Sequence, residues 1–300
     1  MKNVSRSCPI CCKQDQSVLY AESTVDRAQL TQYSFASRKD PEYMNHRLML
    51  CTRCDMLYVS EIAGVADLTE EYGLAAFDSQ VEASYAAQSY IRLLLPVIES
   101  LPDQVGALDI GTGDGAFLQQ LLERGRLTHV EGLEPSTAPI EAASPQIRGL
   151  IRQGMFADGL YPPETFSLVS CFQTIEHVDD PAALCRECYK ILKPGGVLAI
   201  IAHNRRGFLN WMLGRKSPIF DIEHLQLFTP ESLNRLFENA GFRSVSVRSF
   251  WNTYPVSYWA RLFPFPPLIK RLVIRALQSS GLGRIPLSFP VGNLVVVGYR

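Results

Sequence analysis

From residue 105 onward, short apolar runs alternate with stretches whose apolar positions recur every three or four residues. The runs "VGALDI", "HVEGL", "SLVSCF" and "VLAIIA" predict strands over 105–110, 129–133, 167–172 and 197–202, buried on both faces. Between them, helical spacing predicts 115–123 and 181–192, with another helix starting in "EPSTAPIEAA". The segment "FTPESLNRLFENAGF" carries its own punctuation: Thr229 caps the helix, Pro230 takes the first position and Gly241 ends it. Strands return at "FRSVSVRSF" and "NLVVVGYR". Ahead of Pro102, "YAAQSYIRLLLPVIESL" has a strong helical stripe within a helix-like stretch from 67 to about 101. This alternation predicts an α/β fold with a doubly wound, mostly parallel sheet and ligands at the strands' carboxyl ends.

The first 62 residues follow a different pattern. Two strand-like pieces, "SVLY" and "RLML", flank a polar stretch without periodicity, and two cysteine knuckles bracket the whole. Cys8 and Cys11 form the first knuckle, Cys51 and Cys54 the second. Paired C-x-x-C knuckles present four thiolates tetrahedrally, the donor set of a structural zinc. The intervening segment is longer than a minimal zinc ribbon needs, and the excess reads as loop. Cys12 is adjacent to Cys11 and is held in reserve as a ligand. A third C-x-x-C, Cys185 and Cys188, lies on the buried stripe of a predicted helix with Leu184, Ile191 and Leu192, so both thiols read as small core groups.

Composition narrows the class. The 300 residues are 47% hydrophobic and 20% charged, with a formal net charge of −1. A near-neutral chain without basic runs argues against nucleic acid as partner. No apolar run reaches the length of a signal peptide or a spanning helix, so the expected location is cytoplasmic.

The candidate chemistry centres on "ALDIGTGDGAFL". Its glycines bring backbone close to a ligand, and the helix that follows offers free amides to an anionic group. Asp109 stands just before the glycines, where a carboxylate repels a pyrophosphate but attracts an ammonium. Glu134, at the end of the next strand, can accept both hydroxyls of a ribose. Ammonium, carboxylate and ribose together describe S-adenosylmethionine (SAM) rather than a dinucleotide.

At this point the chain resembles the class I SAM-dependent methyltransferases. Four stretches carry the resemblance in order: "ALDIGTGDG", "VEGLEPS", "LVSCFQTIEHVDDP" and "ILKPGGVLAI", spanning about residues 101–300. The resemblance implies a seven-stranded Rossmann-like sheet and a SAM pocket. Asp109, Gly111 and Gly113 would surround the methionine part and Glu134 the ribose. Met155 or Phe156 would wall the adenine, Gln173 would face the methionine, and His177 would shape the pocket. The knuckles in front, with "DIEHLQLFTPESL", further resemble bacterial methyltransferases of cell-surface polysaccharide and deoxysugar pathways. Some larger sugar C-methyltransferases of that group use the matching Glu-His pair in catalysis.

Methyl transfer to a hydroxyl or a carbon acid needs a base. His224, assisted by Glu223, is the preferred catalytic candidate; His203 is a weaker substrate contact, and Tyr72 a lid residue. The expected organisation is a zinc-binding module over 1–62, a helical linker or lid over 63–101, and a methyltransferase domain over 102–300. An aromatic and amphipathic insertion occupies 250–283. Leu268, Ile269, Leu272, Val273 and Leu277 are expected on one face of its helix, with Lys270, Arg271 and Arg275 outside it. The favoured reading is a packed cover for the substrate pocket; the alternative is weak contact with an anionic membrane surface. The expected activity is methyl transfer from SAM to a small molecule, most simply a sugar, nucleotide-sugar or glycan precursor. An rRNA methyltransferase and a non-enzymatic SAM-fold protein are the rivals.

Overall fold

The computed structural model describes residues 4–31, 34, 41–62, 73, 76–102, 105–125 and 127–300. Tyr72 and most of 63–75 lie outside the described residues. The chain opens with β1 (Val4–Ser5), β2 (Ser17–Ala21), β3 (Leu48–Cys51), β4 (Met56–Val59) and β5 (Glu61–Ile62). Helix α1 (Gln80–Glu99) precedes β6 (Gly106–Ile110), α2 (Ala116–Arg124), β7 (His129–Glu134), α3 (Thr137–Ala142), α4 (Pro145–Arg148) and β8 (Ile151–Gln153). Then come β9 (Phe166–Phe172), α5 (Pro181–Ile191), β10 (Leu192–His203), α6 (Phe208–Leu213) and β11 (Gln226–Leu227). The chain closes with α7 (Pro230–Ala240), β12 (Arg243–Ser249), β13 (Asn252–Pro255), α8 (Val256–Leu262), α9 (Pro267–Ser280), β14 (Pro286–Phe289) and β15 (Asn293–Tyr299).

Seven strands form the main sheet in the order β12-β15-β10-β9-β6-β7-β8. The pairings β10–β9, β9–β6, β6–β7 and β7–β8 are parallel, while β15 runs antiparallel to both β10 and β12. Strands β6 and β9 are buried at every position, which is why they read as unbroken apolar runs. The chain leaves β6 toward β7 and β8, then returns to β9 on the other side. That reversal opens a crevice at the carboxyl ends of β6 and β9, where such sheets hold ligands.

Local signals set the helix ends. Thr229 Oγ1 accepts from Ser232 N at 3.2 Å, Ser232 Oγ accepts from Thr229 N at 2.8 Å, and Gly241 stops α7 at φ +99°. Asp180 caps α5 by accepting from Ala183 N at 2.8 Å. Cys185 and Cys188 are fully buried on α5.

A second sheet, β11-β4-β3-β2, joins the ends of the chain. Its fourth strand, β11, comes from the segment just before α7 and pairs antiparallel with β4. Cys8, Cys51, Met56 and Tyr58 share one core cluster with Leu108, Val169 and Phe228. The knuckle segment is therefore packed into the main fold.

The excursion between β12 and β15 is longer than expected, because after α8 and α9 the chain returns as β14 to pair antiparallel with β13, which carries it to Phe289. The expected face of α9 is corrected. The helix packs inward through Val273, Ile274 and Leu277, leaving Leu268, Ile269 and Leu272 exposed beside Arg271 and Arg275. The helix begins at Pro267 and packs beside α8, with Val273, Ile274 and Leu277 half-buried. No described helix is long and apolar enough to cross a membrane.

Candidate active site

A cavity of about 550 Å³ lies at the carboxyl ends of β6, β7 and β9. Asp109, Gly111, Gly113, Glu134, Met155, Phe156, Gln173, His177, Glu223 and His224 all line it. Five elements supply these side chains, so the sheet's topology gathers what the sequence scatters.

The glycine turn between β6 and α2 is held by two backbone bonds, Gly111 N and Thr112 N to Leu133 O at 2.8 and 3.1 Å. Gly111 has φ +71°, and a Cβ there would stand 2.3 Å from Thr174 Oγ1. No larger residue fits that crossing of β6 and β9. Gly113 donates its N–H to Glu134 Oε2 at 2.8 Å, and Ser136 N donates to Oε1 at 3.0 Å. The Ser136 side chain also hydrogen-bonds this carboxylate, which keeps a lone pair for a further donor. Burial pushes the Glu134 carboxyl above its ordinary range despite both bonds. Asp109, almost fully buried, accepts from Ser170 Oγ at 2.6 Å through Oδ1.

Two polar atoms in the wall lack a partner. Gln173 Nε2 and Thr112 Oγ1 are buried with no hydrogen bond to the described protein. Gln173 also holds φ +53°, a costly conformation for a non-glycine residue. Strain and an orphaned donor at one residue mark a place where a ligand completes the structure. Met155 and Phe156, following β8, give the cavity an apolar wall.

Opposite the glycine turn, three imidazoles converge. The His224 ring centroid lies 5.0 Å from that of His177 and 5.1 Å from that of His203. His177 Nδ1 is 3.0 Å from Glu223 O, and His224 Nδ1 is 2.9 Å from Ile219 O. A carbonyl can only accept, so each Nδ1 carries the proton in the neutral ring and Nε2 is the basic nitrogen. His224 Nε2 lies 3.9 Å from Glu223 Oε1. His203 Nδ1 meets Asn293 Oδ1 at 2.9 Å, and burial lowers its pKa. Sequence reasoning gave no role to Glu176, which is wholly buried and accepts from His203 N at 2.6 Å. Its carbonyl also accepts from Leu225 N at 2.8 Å, tying the His203 and His224 segments together. Its place beside His177 in "IEHV" was the available signal.

Away from the cavity, the sulfurs of Cys8, Cys11, Cys51 and Cys54 lie within 4.8 Å of one another. Both knuckles close the same way. Cys12 N donates to Cys8 O at 2.8 Å, and Asp55 N donates to Cys51 O at 2.9 Å. Cys12 and Asp55 each take the left-handed conformation, φ +55° and +53°. Cys12 is thus the turn-closing residue, and its side chain is exposed. Burial pushes the Cys8 thiol up to about 12. The second knuckle is clamped by Arg205 and Arg206, whose guanidinium groups both contact Asp55 Oδ1.

Residues 78–247 match a family model described as a methyltransferase domain. A ubiquinone biosynthesis O-methyltransferase of Psychrobacter arcticus is 29% identical over 168 residues, covering 51% of this chain and 65% of its own length. The Aeromonas salmonicida protein of the same name is 30% identical over 147 residues, 45% of this chain and 61% of its own. The chain thus spans less than two thirds of these curated relatives. The YcgJ protein of Bacillus subtilis shares the fold at a TM-score of 0.51 and 16% identity, over 70% of this chain and 98% of that one. With more than half its residues inside that model, the chain belongs to the methyltransferase-domain family.

Proposed function

We propose that the protein transfers a methyl group from SAM to a small-molecule acceptor at this cavity. The observation that carries the reading is the convergence of the glycine turn, Asp109, Glu134 and the orphaned Gln173 amide on one side with the histidine cluster on the other. Asp109 would attract the ammonium of SAM, Glu134 would accept from the ribose hydroxyls with its remaining acceptor capacity, and Met155 and Phe156 would cover the adenine. Gln173 Nε2 donates to the carboxylate. SAM, when bound, supplies a methyl already activated by the sulfonium.

What remains for the protein is alignment and proton removal. His224 Nε2 would take the proton from the acceptor hydroxyl as its oxygen bonds the methyl carbon and the sulfur–methyl bond breaks, the sulfonium leaving as a neutral thioether. Glu223 stabilises the resulting imidazolium across 3.9 Å. The four clustered thiols fit a tetrahedral zinc site, since sulfurs this close cannot all ionise without a cation between them. That zinc is structural: it fixes the second knuckle, to which the loop after β10 is bound.

For the acceptor we favour a sugar, nucleotide sugar or glycan precursor, supported by the paired knuckles and the Glu223–His224 loop. The relatives that methylate in ubiquinone biosynthesis favour a second reading, a phenolic hydroxyl. Labelled SAM offered with nucleotide sugars, phenols and ribosomal RNA separates them. Transfer to a sugar supports the first reading, transfer to a phenol the second, and transfer to RNA rejects both. Absence of SAM binding in calorimetry rejects the enzyme itself.

A further inference from the structure

The outward side of α9 is apolar. Leu268 and Leu272 are 68% and 66% exposed. At i, i+4 spacing they form one row with Ala276, and Arg271 and Arg275 lie along the same side. Beyond the helix, Leu282, Ile285, Leu287 and Phe289 are exposed as well. After Glu238 the sequence holds eight Lys and Arg residues and no Asp or Glu. No ion pair engages Arg271, Arg275 or Arg284 among the described residues.

A second element shares this character. On α6, Phe208, Trp211 and Met212 are exposed, with the exposed Arg215 and Lys216 after them; Arg206, before the helix, is paired with Asp55. Asn210 Nδ2 donates to Val291 O at 3.5 Å, which ties α6 to the chain just past β14. Both elements adjoin the cavity. Pro218 and Ile219, just after α6, line one wall; Tyr258 and Leu262 of α8, the helix against which α9 packs, line another.

We propose that α9, β14 and α6 form a surface that docks on an anionic phospholipid bilayer beside the mouth of the active site. Charge selects this partner. Cations without internal counter-charge seek an anionic surface, and the leucine and tryptophan side chains between them need hydrocarbon at the same depth. Nucleic acid would satisfy the arginines and leave the apolar row in water. The proposal is independent of the acceptor, because the surface lies outside the cavity.

The test is flotation of the full chain with vesicles of phosphatidylcholine alone or mixed with phosphatidylglycerol. Binding is expected only with phosphatidylglycerol and should weaken as salt rises, since exposed charges are screened. Leu268→Glu/Leu272→Glu and Arg271→Glu/Arg275→Glu should each lower binding at least about tenfold. SAM affinity, measured on the same samples, should stay unchanged and so report intact folding. The proposal fails if the wild type does not float with phosphatidylglycerol vesicles, or if the leucine variant floats equally well. It also fails if the leucine substitutions dissolve a wild-type dimer in the ultracentrifuge, or if the surface retains RNA in preference to vesicles.

Discussion

The carboxylate of Glu134 uses one lone pair per oxygen on the backbone of Gly113 and Ser136 and another on the Ser136 side chain, and keeps acceptor capacity toward the cavity. Because burial raises its pKa, the ionised form that accepts hydroxyls is lost earlier on acidification than for an ordinary carboxylate. SAM affinity should therefore fall as pH drops, beginning above the usual glutamate range, and calorimetry across pH reads this directly. Glu134→Gln turns one acceptor into a donor facing a backbone N–H. It should cost about 10- to 100-fold in SAM affinity and abolish that pH dependence. His224→Gln should instead lower kcat by about 10²- to 10⁴-fold with SAM affinity intact, as turnover assays beside calorimetry would show. Asp109 and Glu134 are read from the sequence as an acid before the glycines that repels a pyrophosphate but attracts an ammonium, and an acid at the next strand's end that can accept ribose hydroxyls; both line the cavity. Gln173 was legible only through the family resemblance. Its left-handed backbone and unpaired amide lie at the end of β9, where its N–H donates to Ile201 O of the neighbouring β10, and no local pattern encodes that.

Elements that bury both faces or carry caps, such as β6, β9 and α7, announce themselves in a local window. Those that exist only through distant pairing do not. Strand β11 is two residues long and forms because β4 lies beside it, while β13 and β14 form because each is the other's partner. Beside the β4–β11 pairing, side-chain contacts tie the same segment to the second knuckle. Asp55, the residue after the second knuckle, holds Arg205 and Arg206, and its carbonyl accepts from Thr229 Oγ1 at 3.2 Å. Residues 205 to 229, which include His224, are thus pinned at both ends to one cysteine turn. Cys51→Ser, or removal of zinc by a chelator, should release that segment. The expected result is metal loss in elemental analysis and a fall in kcat greater than the fall in SAM affinity. If both fall equally, or if the wild type contains no zinc, the cysteine turn does not position the base through a metal.

At the scale of the whole molecule, the sequence reads as a small module ahead of a large domain, and the described residues pack the two against each other through a shared apolar cluster. Cys8, Cys51 and Tyr58 sit in one cluster with Leu108 and Val169 of the main sheet, and Arg6 donates to Gln226 Oε1 across 220 residues. Each apolar side chain buried at that junction contributes about 1.5–3 kcal/mol, which couples the stability of the knuckles to that of the sheet. Composition and periodicity carry no information on such a junction, since either partner alone accounts for its own apolar residues. The consequence is cooperative unfolding. Scanning calorimetry should show one transition that both ligands move. SAM at 100 times its Kd adds about 2.7 kcal/mol, which for a chain of this size raises Tm by about 4 °C. Chelation should lower the same transition. Two transitions, one answering only to SAM and the other only to the chelator, would mean that the shared core does not couple them, and the link from cysteine turn to His224 would break with it.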